Sequence, residues 1–208
     1  MLNAELLLQS VAKWNEARWK DMESIVDLQD QDLSDANFSG ADLREADLSG
    51  ACLKGSSFNG AILSDAHLCG ADLSECDLSG AILWSTDLSG ANFTKAILNG
   101  ADLSGSDLEN ADFTAATIFG VDLTNANITG VKFHNADIWG TDFLESFLTN
   151  ADFSGADLRG SDFTGAELTG ADFSGANLNG VRFVGANIEG AKGLPDSLVD
   201  DSDWEREE

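Results

Sequence analysis

Two histidines, three cysteines and 37 aspartates and glutamates are the groups in this 208-residue chain capable of acid–base, nucleophilic or metal chemistry. Such chemistry shows in sequence as short fixed spacings, because the groups must converge within a few ångströms. His67 and His134 lie too far apart to pair as metal ligands or as a dyad. Cys52, Cys69 and Cys76 have no Cys-x-x-Cys spacing and none is directly next to a histidine. No pair of carboxylates stands apart from dozens of equivalents. Glycines recur in stretches such as GADLSG, but no helix follows to offer its N-terminus to a phosphate. The expectation is a non-enzymatic protein with no catalytic, cofactor-binding or metal site.

Composition narrows the alternatives. A net charge of −26 and a pI near 4.1 exclude a general binder of nucleic-acid backbones, which needs a basic patch. Strong acidity can mean disorder, yet 43% of the residues are hydrophobic and their placement is strict, so a packed structure is expected. The chain has no apolar run of membrane-spanning length. Its start, MLNAELLLQSVAKW, lacks the cationic segment of a signal peptide. Unpaired cysteines suit a reducing compartment. These features together predict a soluble, cytoplasmic protein with no membrane partner.

The elements that position all these groups come from one repeat. Residues 151–180 read ADFSG ADLRG SDFTG AELTG ADFSG ANLNG. From Leu28 to Ile188 every fifth residue is Leu, Phe or Ile without exception. Two residues earlier stands a small residue, usually Ala, and two residues later usually Gly. The unit is small–Asp/Asn–Leu/Phe–Ser/Thr–Gly. Its two apolar positions are two apart and share one face of an extended segment. Glycine then supplies a corner, since it adopts positive φ without steric cost. A chain of sides and corners winds into a coil, with coils stacked about 4.8 Å apart and paired through their backbones. Phe93, Phe113, Phe133, Phe153 and Phe173 recur in one phase, and Phe143, Phe163 and Phe183 in another. Periodicity alone fits both a two-sided and a four-sided coil.

Units such as ADLSG, ANFTK and ADFSG resemble the pentapeptide repeat family, whose pattern is A(D/N)LXX, over residues 26–193. The resemblance implies an all-β fold, a right-handed quadrilateral β-helix of about eight coils with four pentapeptides each. It places Leu103, Phe113, Phe133, Phe143, Phe153, Phe163 and Phe173 inside as structural core, beside Ala101, Ala111 and Ala151. Asp102, Asp112 and Asp152 then lie outside. Some members of the family inhibit DNA gyrase, and protect it from quinolones, by resembling DNA in shape and charge.

The ends depart from the repeat. Residues 3–20 predict one amphipathic capping α-helix, with Asn3 as N-cap, Glu5 in the first turn, Lys20 in the last, and Leu6, Leu7, Val11 and Trp14 on its apolar side. Its WNEARW stretch is similar to family members from photosynthetic bacteria. Residues 1–25 are thus expected to be cap and linker, 26–193 the β-helix, and 194–208 a C-terminal cap and acidic tail. In that last part Leu194, Leu198 and Val199 are expected to lid the final coil.

Two features of the outward positions bear on partners. Ile62, Ile82, Trp84 and Leu144 fall on one face and Ile97, Phe119 and Trp139 on the next, where polar residues are expected; aligned apolar side chains predict a protein-binding surface. The second feature is acid, on the order of one net charge per 2 Å of rod against about 1.7 Å in duplex DNA. Its longest ladder is Asp102, Asp122, Asp142 and Asp162, bounded by Ile82 and Arg182. The primary expectation is a scaffold for another protein, with no direct nucleic-acid contact and the oligomeric state open. The alternative is a DNA-mimicking inhibitor or protector of DNA gyrase. Against it stand the interrupted ladder and the lack of the loop insertion found in drug-protecting relatives.

Overall fold

Each pentapeptide forms one straight side and one corner. In Ala41–Glu45 the side chains of Ala41 and Leu43 are fully buried, while Asp42 and Arg44 between and after them lie outside. The corner is a β-turn. Phe38 O accepts a hydrogen bond from Ala41 N at 2.9 Å, and Gly40, third of these four residues, has φ +68°. Positive φ there is the requirement of a type II turn. Asp35, Asn110 and Ala115 occupy the same turn position at φ 54°, 59° and 57°. A left-handed residue with a Cβ costs about 1–2 kcal/mol, less for Asn and Asp.

Successive coils are joined by parallel bridges between residues 20 apart, such as Asp42↔Ile62 and Ile62↔Ile82. Each rung takes two backbone bonds: Leu43 N donates to Ile62 O at 2.8 Å and Ile62 N to Ala41 O at 2.9 Å. A spacing of 20 rather than 10 decides for four sides. The pairing is by single residues, so no side lengthens into a strand. The computed structural model describes residues 2–24 and 26–195, and bridges run from Asp27 to Lys192.

Four faces follow, numbered by their central residues. Face 1 carries Leu28, Leu48 and onward to Ile188; face 2 Leu33 to Phe173; face 3 Phe38 to Leu178; face 4 Leu43 to Phe183. From Phe93 onward the inward phenylalanines fill opposite sides of the interior, while Phe38 and Phe58 lie on face 3. On face 2, Phe93, Phe113, Phe133, Phe153 and Phe173 stack with ring centroids 4.4–5.2 Å apart. On face 4, Phe143 stacks on Phe163 at 4.5 Å and Phe163 on Phe183 at 5.3 Å. Across the axis the two columns meet edge to face, Phe143 and Phe153 at 90°. That alternation places ring edges against ring faces, the favourable arrangement of their quadrupoles. Leu103 and Phe113 through Phe173 are all buried. Where the small inward residue is polar, its hydroxyl finds a carbonyl: Ser56 Oγ donates to Leu33 O at 2.8 Å and Thr141 Oγ1 to Ile118 O at 2.6 Å.

The N-terminal cap differs from expectation. Two helices replace the single one: α1, Ala4–Gln9, and α2, Val11–Lys20, broken at Ser10 with φ −168°. Ser10 ends α1 and starts α2, its Oγ accepting from Lys13 N at 3.3 Å, because a serine side chain satisfies a free helix-end amide better than it serves a helix interior. Leu7 of α1 and Trp14 of α2 are both buried in the core cluster.

α2 also closes the edge of the first coil. Trp14 Nε1 donates to Asp42 O at 2.7 Å, Asn15 Nδ2 to Gly40 O at 2.8 Å, and Asn15 Oδ1 accepts from Asp42 N at 2.9 Å. Arg18, only 3% exposed, donates to Arg44 O at 2.8 Å and Ser24 O at 3.0 Å. Side chains thus take the place of the missing previous coil along face 4.

At the other end Gly193 stands where a central Leu or Phe is due. A Cβ there would lie 2.5 Å from the Phe173 carbonyl carbon, so the ladder stops, and Leu194 packs against the core. Leu198 and Val199, expected to form a lid, lie outside the described residues.

Phe133→Ala is expected to cost about 3–5 kcal/mol in denaturant or thermal unfolding, through the cavity it opens in the stack. Ala115→Gly is expected to raise stability by up to about 1 kcal/mol in the same measurement, the relief of left-handed strain exceeding the added unfolded-state entropy. A loss on Ala115→Gly would mean that this corner is not strained.

Candidate protein-binding surface

The groups able to do chemistry are dispersed by the coil. His67 is exposed on face 1 and His134 on face 2. Around His134, Ser154 Oγ lies 2.8 Å from Nδ1 and Asn135 Nδ2 lies 2.8 Å from Nε2. Cys76 is buried, its Sγ donating to Leu53 O at 2.9 Å, and burial pushes its thiol up to about 12. A thiol so far from ionising is no nucleophile at neutral pH. Cys52 is half-buried and Cys69 exposed. Among the described residues no three His, Cys, Asp or Glu side chains are grouped to hold a metal.

The aspartates have a structural task that the sequence pattern alone conceals. Asp102 Oδ1 accepts from Ser104 N at 3.0 Å and Ser104 Oγ at 2.6 Å. Asp142 Oδ1 accepts from Leu144 N at 3.0 Å and Asp162 Oδ1 from Thr164 N at 2.9 Å. The acid before each central residue caps the amide entering the next corner, as Asn does in Asn92 with Thr94. Much of the chain's negative charge therefore serves its turns.

The four acids Asp102, Asp122, Asp142 and Asp162 bridge in one unbroken ladder on face 4, with Ile82 at one end and Arg182 at the other. Arg182 lies 3.1 Å from Asp162. Partial burial raises the Asp162 pKa, but hydrogen bonds from Thr164 and the Arg182 charge outweigh it and hold the carboxyl below its usual value. Asp142 goes the other way: partial burial first, then the neighbouring Asp122 and Asp162, push it up. Among the described residues no Lys or Arg pairs with it.

The apolar outward residues occupy two neighbouring faces. On face 4, Ile62 and Ile82 are bridged and half-buried, Trp84 is 42% exposed, and Leu144 is half-buried three coils further on. Trp84 borders a shallow, otherwise polar depression with Ser104, Asp122, Thr124 and Asn125. On face 3, Ile97, Phe119 and Trp139 are each 40–42% exposed, and the Phe119 and Trp139 rings lie 3.9 Å apart between centroids. The exposed Phe147, on face 1, is an addition to the sequence-based set. It directly precedes the central Leu148, so the reasoning that selects Ile62 and Ile82 also selects it.

A chain wound from unbroken pentapeptides, four to a coil, around ladders of Leu and Phe is a pentapeptide repeat β-helix. The family model for pentapeptide repeats matches residues 26–60, 61–100, 96–135, 126–165 and 157–192, and the chain belongs to that family. Among solved structures it is similar to HetL from the cyanobacterium Nostoc sp. strain PCC 7120, a pentapeptide repeat protein involved in heterocyst differentiation regulation. The identity is 31% and the TM-score 0.55, over 80% of this chain and 86% of HetL. It also resembles trypsin-treated QnrB1, a plasmid-mediated fluoroquinolone resistance protein, at 22% identity and TM-score 0.62, over 83% of this chain and 88% of QnrB1; that likeness concerns the fold alone. No protein of curated function matches the chain.

Asp142→Asn provides a test of the ladder's electrostatics. A carboxyl whose folded pKa is raised destabilises the fold once ionised, and the cost disappears as pH falls through the raised value toward the ordinary one near 4. Asn keeps the bond from Leu144 N. The variant is expected to melt slightly higher than wild type at pH 7 and equally at about pH 3. A lower melting temperature at pH 7 would contradict the assignment.

Proposed function

We propose that this pentapeptide repeat protein is a non-enzymatic scaffold that binds another protein through its outward apolar side chains. The observation that carries this reading is the exposed Phe119–Trp139 pair, with Ile97 on the same face and Ile62, Ile82, Trp84 and Leu144 on the next. Positions equivalent to Trp84 and Trp139 hold Ser or Thr elsewhere, as at Ser79 and Thr124, so the coil itself does not need the indoles. Aromatic residues, Trp above all, are enriched as interface anchors. HetL's part in regulating heterocyst differentiation is in keeping with action through binding.

On this reading residues 1–25 are a cap and linker, 26–193 the rod, and 194–208 a second cap and tail. The coil is taken as right-handed, since parallel crossovers of L-residue chains are overwhelmingly so. Residues 26–193 then make about eight coils and a rod on the order of 40 Å long. Free cysteines suit the cytoplasm. Among the described residues no helix is long and apolar enough to cross a membrane.

Trp84→Ser and Trp139→Thr are expected to leave the melting temperature nearly unchanged and to weaken capture of a partner identified by affinity purification and mass spectrometry. Truncating an interface anchor can cost about 2 kcal/mol of binding or more. Retained binding in both variants would dismiss the scaffold reading, and unfolding of both would invalidate the inward and outward assignment. The gyrase reading rests on the unpaired ladder Asp102, Asp122 and Asp142, and is weakened by the turn-capping duty of the same carboxylates. It requires salt-sensitive inhibition of gyrase supercoiling by the purified protein. Full supercoiling at low salt would remove it.

A further inference from the structure

About half of one 20-residue coil, residues 137–147, carries outward apolar side chains on three successive faces, an apolar belt. Trp139 lies on face 3, Leu144 on face 4 and Phe147 on face 1. Phe119, one coil earlier, packs against Trp139 with ring centroids 3.9 Å apart and the rings tilted by 40°, and Phe147 is 56% exposed. Between Trp139 and Leu144 sits Asp142, which accepts a bond only from Leu144 N and has Asp122 and Asp162 as its neighbours along the ladder.

Positive charge is absent from the belt. The nearest arginines, Arg159 and Arg182, are engaged with Asp157 at 2.7 Å and Asp162 at 3.1 Å. The lysines of the rod, Lys54, Lys95, Lys132 and Lys192, all belong to face 2 or its corner, the one face the belt does not cross. An apolar surface with an unpaired acid at its centre suits an occupant that brings both apolar side chains and a cation. A second copy of this chain brings the same acids and a net charge of −26 against −26.

We propose that the belt of Trp139, Leu144 and Phe147 docks a cationic, amphipathic segment of another protein, with a Lys or Arg of that segment paired to Asp142. This rests on the scaffold reading and specifies its partner's chemistry. The arrangement uses each feature once. The paired Phe119 and Trp139 rings offer an exposed aromatic surface to apolar side chains or to a guanidinium, and the Asp142 carboxylate fixes where the cation lies. Partial burial first, and then the like charges of Asp122 and Asp162, raise the Asp142 pKa, and a paired cation would oppose that rise.

The test is isothermal titration of the full chain at physiological salt with three synthetic probes: a short alternating Lys–Leu peptide, the matching Glu–Leu peptide, and an oligolysine of equal charge. The Lys–Leu peptide is expected to bind at least about tenfold more tightly than either other probe. Asp142→Asn should weaken it about fivefold, as expected for one partly exposed ion pair, while Asp102→Asn on the same ladder should not. Trp139→Thr and Phe147→Ser should each weaken it further.

Equal losses in Asp142→Asn and Asp102→Asn, or oligolysine binding as tightly as Lys–Leu, would mean diffuse charge attraction and overturn the proposal. Equal binding of the Lys–Leu and Glu–Leu peptides, both lost in Trp139→Thr, would overturn the cationic partner while leaving the apolar interface intact. No effect of Trp139→Thr and Phe147→Ser on any probe would overturn both. Self-association of the wild-type chain through the belt, seen by sedimentation and lost in Phe147→Ser, would make a second copy the occupant and overturn the proposal.

Discussion

The rest of the molecule hangs on the left-handed residue that closes each pentapeptide. With φ near +60°, as at Asn110 or Gly100, the chain turns after every side and returns 20 residues later directly above itself. Only then can Leu43 N reach Ile62 O and Ile62 N reach Ala41 O, and only then do Phe113, Phe133 and Phe153 stack. The corner sets the register of the ladders and the core together. Glycine occupies many of these positions because it adopts this φ freely, while Asp and Asn can take it at modest cost.

The same corner explains the acidity. Each turn leaves an amide to be satisfied, and the carboxylate or amide before the central residue satisfies it, as Asp162 does for Thr164. Charge that looks like an adaptation to a basic partner is, in good part, local backbone chemistry repeated at many corners. What stands out from this background is less the number of acids than the lack of compensation at particular ones. Asp112 has Lys132, Asp157 has Arg159 and Asp162 has Arg182; among the described residues Asp122 and Asp142 each have only a turn amide and two like charges, and Asp142 shares its coil with Trp139 and Phe147.

Among the described residues the interior is filled by side chains, and the depression beside Trp84 is shallow. The rod's distinct features are therefore departures from the repeat on the outside. Phe119, Trp139 and Phe147 do nothing for the ladders, since Asn99, Arg159 and Glu167 occupy the equivalent places one coil away. In a solenoid, neighbouring coils bring residues far apart in sequence into one patch.

The sequence by itself determined the repeat, its unbroken register from Leu28 to Ile188 and the division of side chains into inward and outward. The reason is that a five-residue period repeats the same local instruction and every position carries it. It also carried enough to place the apolar residues on neighbouring faces once four sides per coil were taken from the family resemblance; by period alone a two-sided coil was equally allowed. Phe147 was legible by that logic and needed only its outward position to be weighed. The tertiary structure alone decided the rest. The helix breaks at Ser10, whose side chain caps α2, although the helical period of apolar residues runs on through it. Arg18 and Asn15, polar residues of α2, substitute for a missing coil because the carbonyls of Gly40 and Arg44 lie beside them with no previous coil to pair with. The isolation of Asp142 likewise depends on which side chains share its height on the rod. That is fixed by contacts between residues 20 apart, which no local pattern specifies.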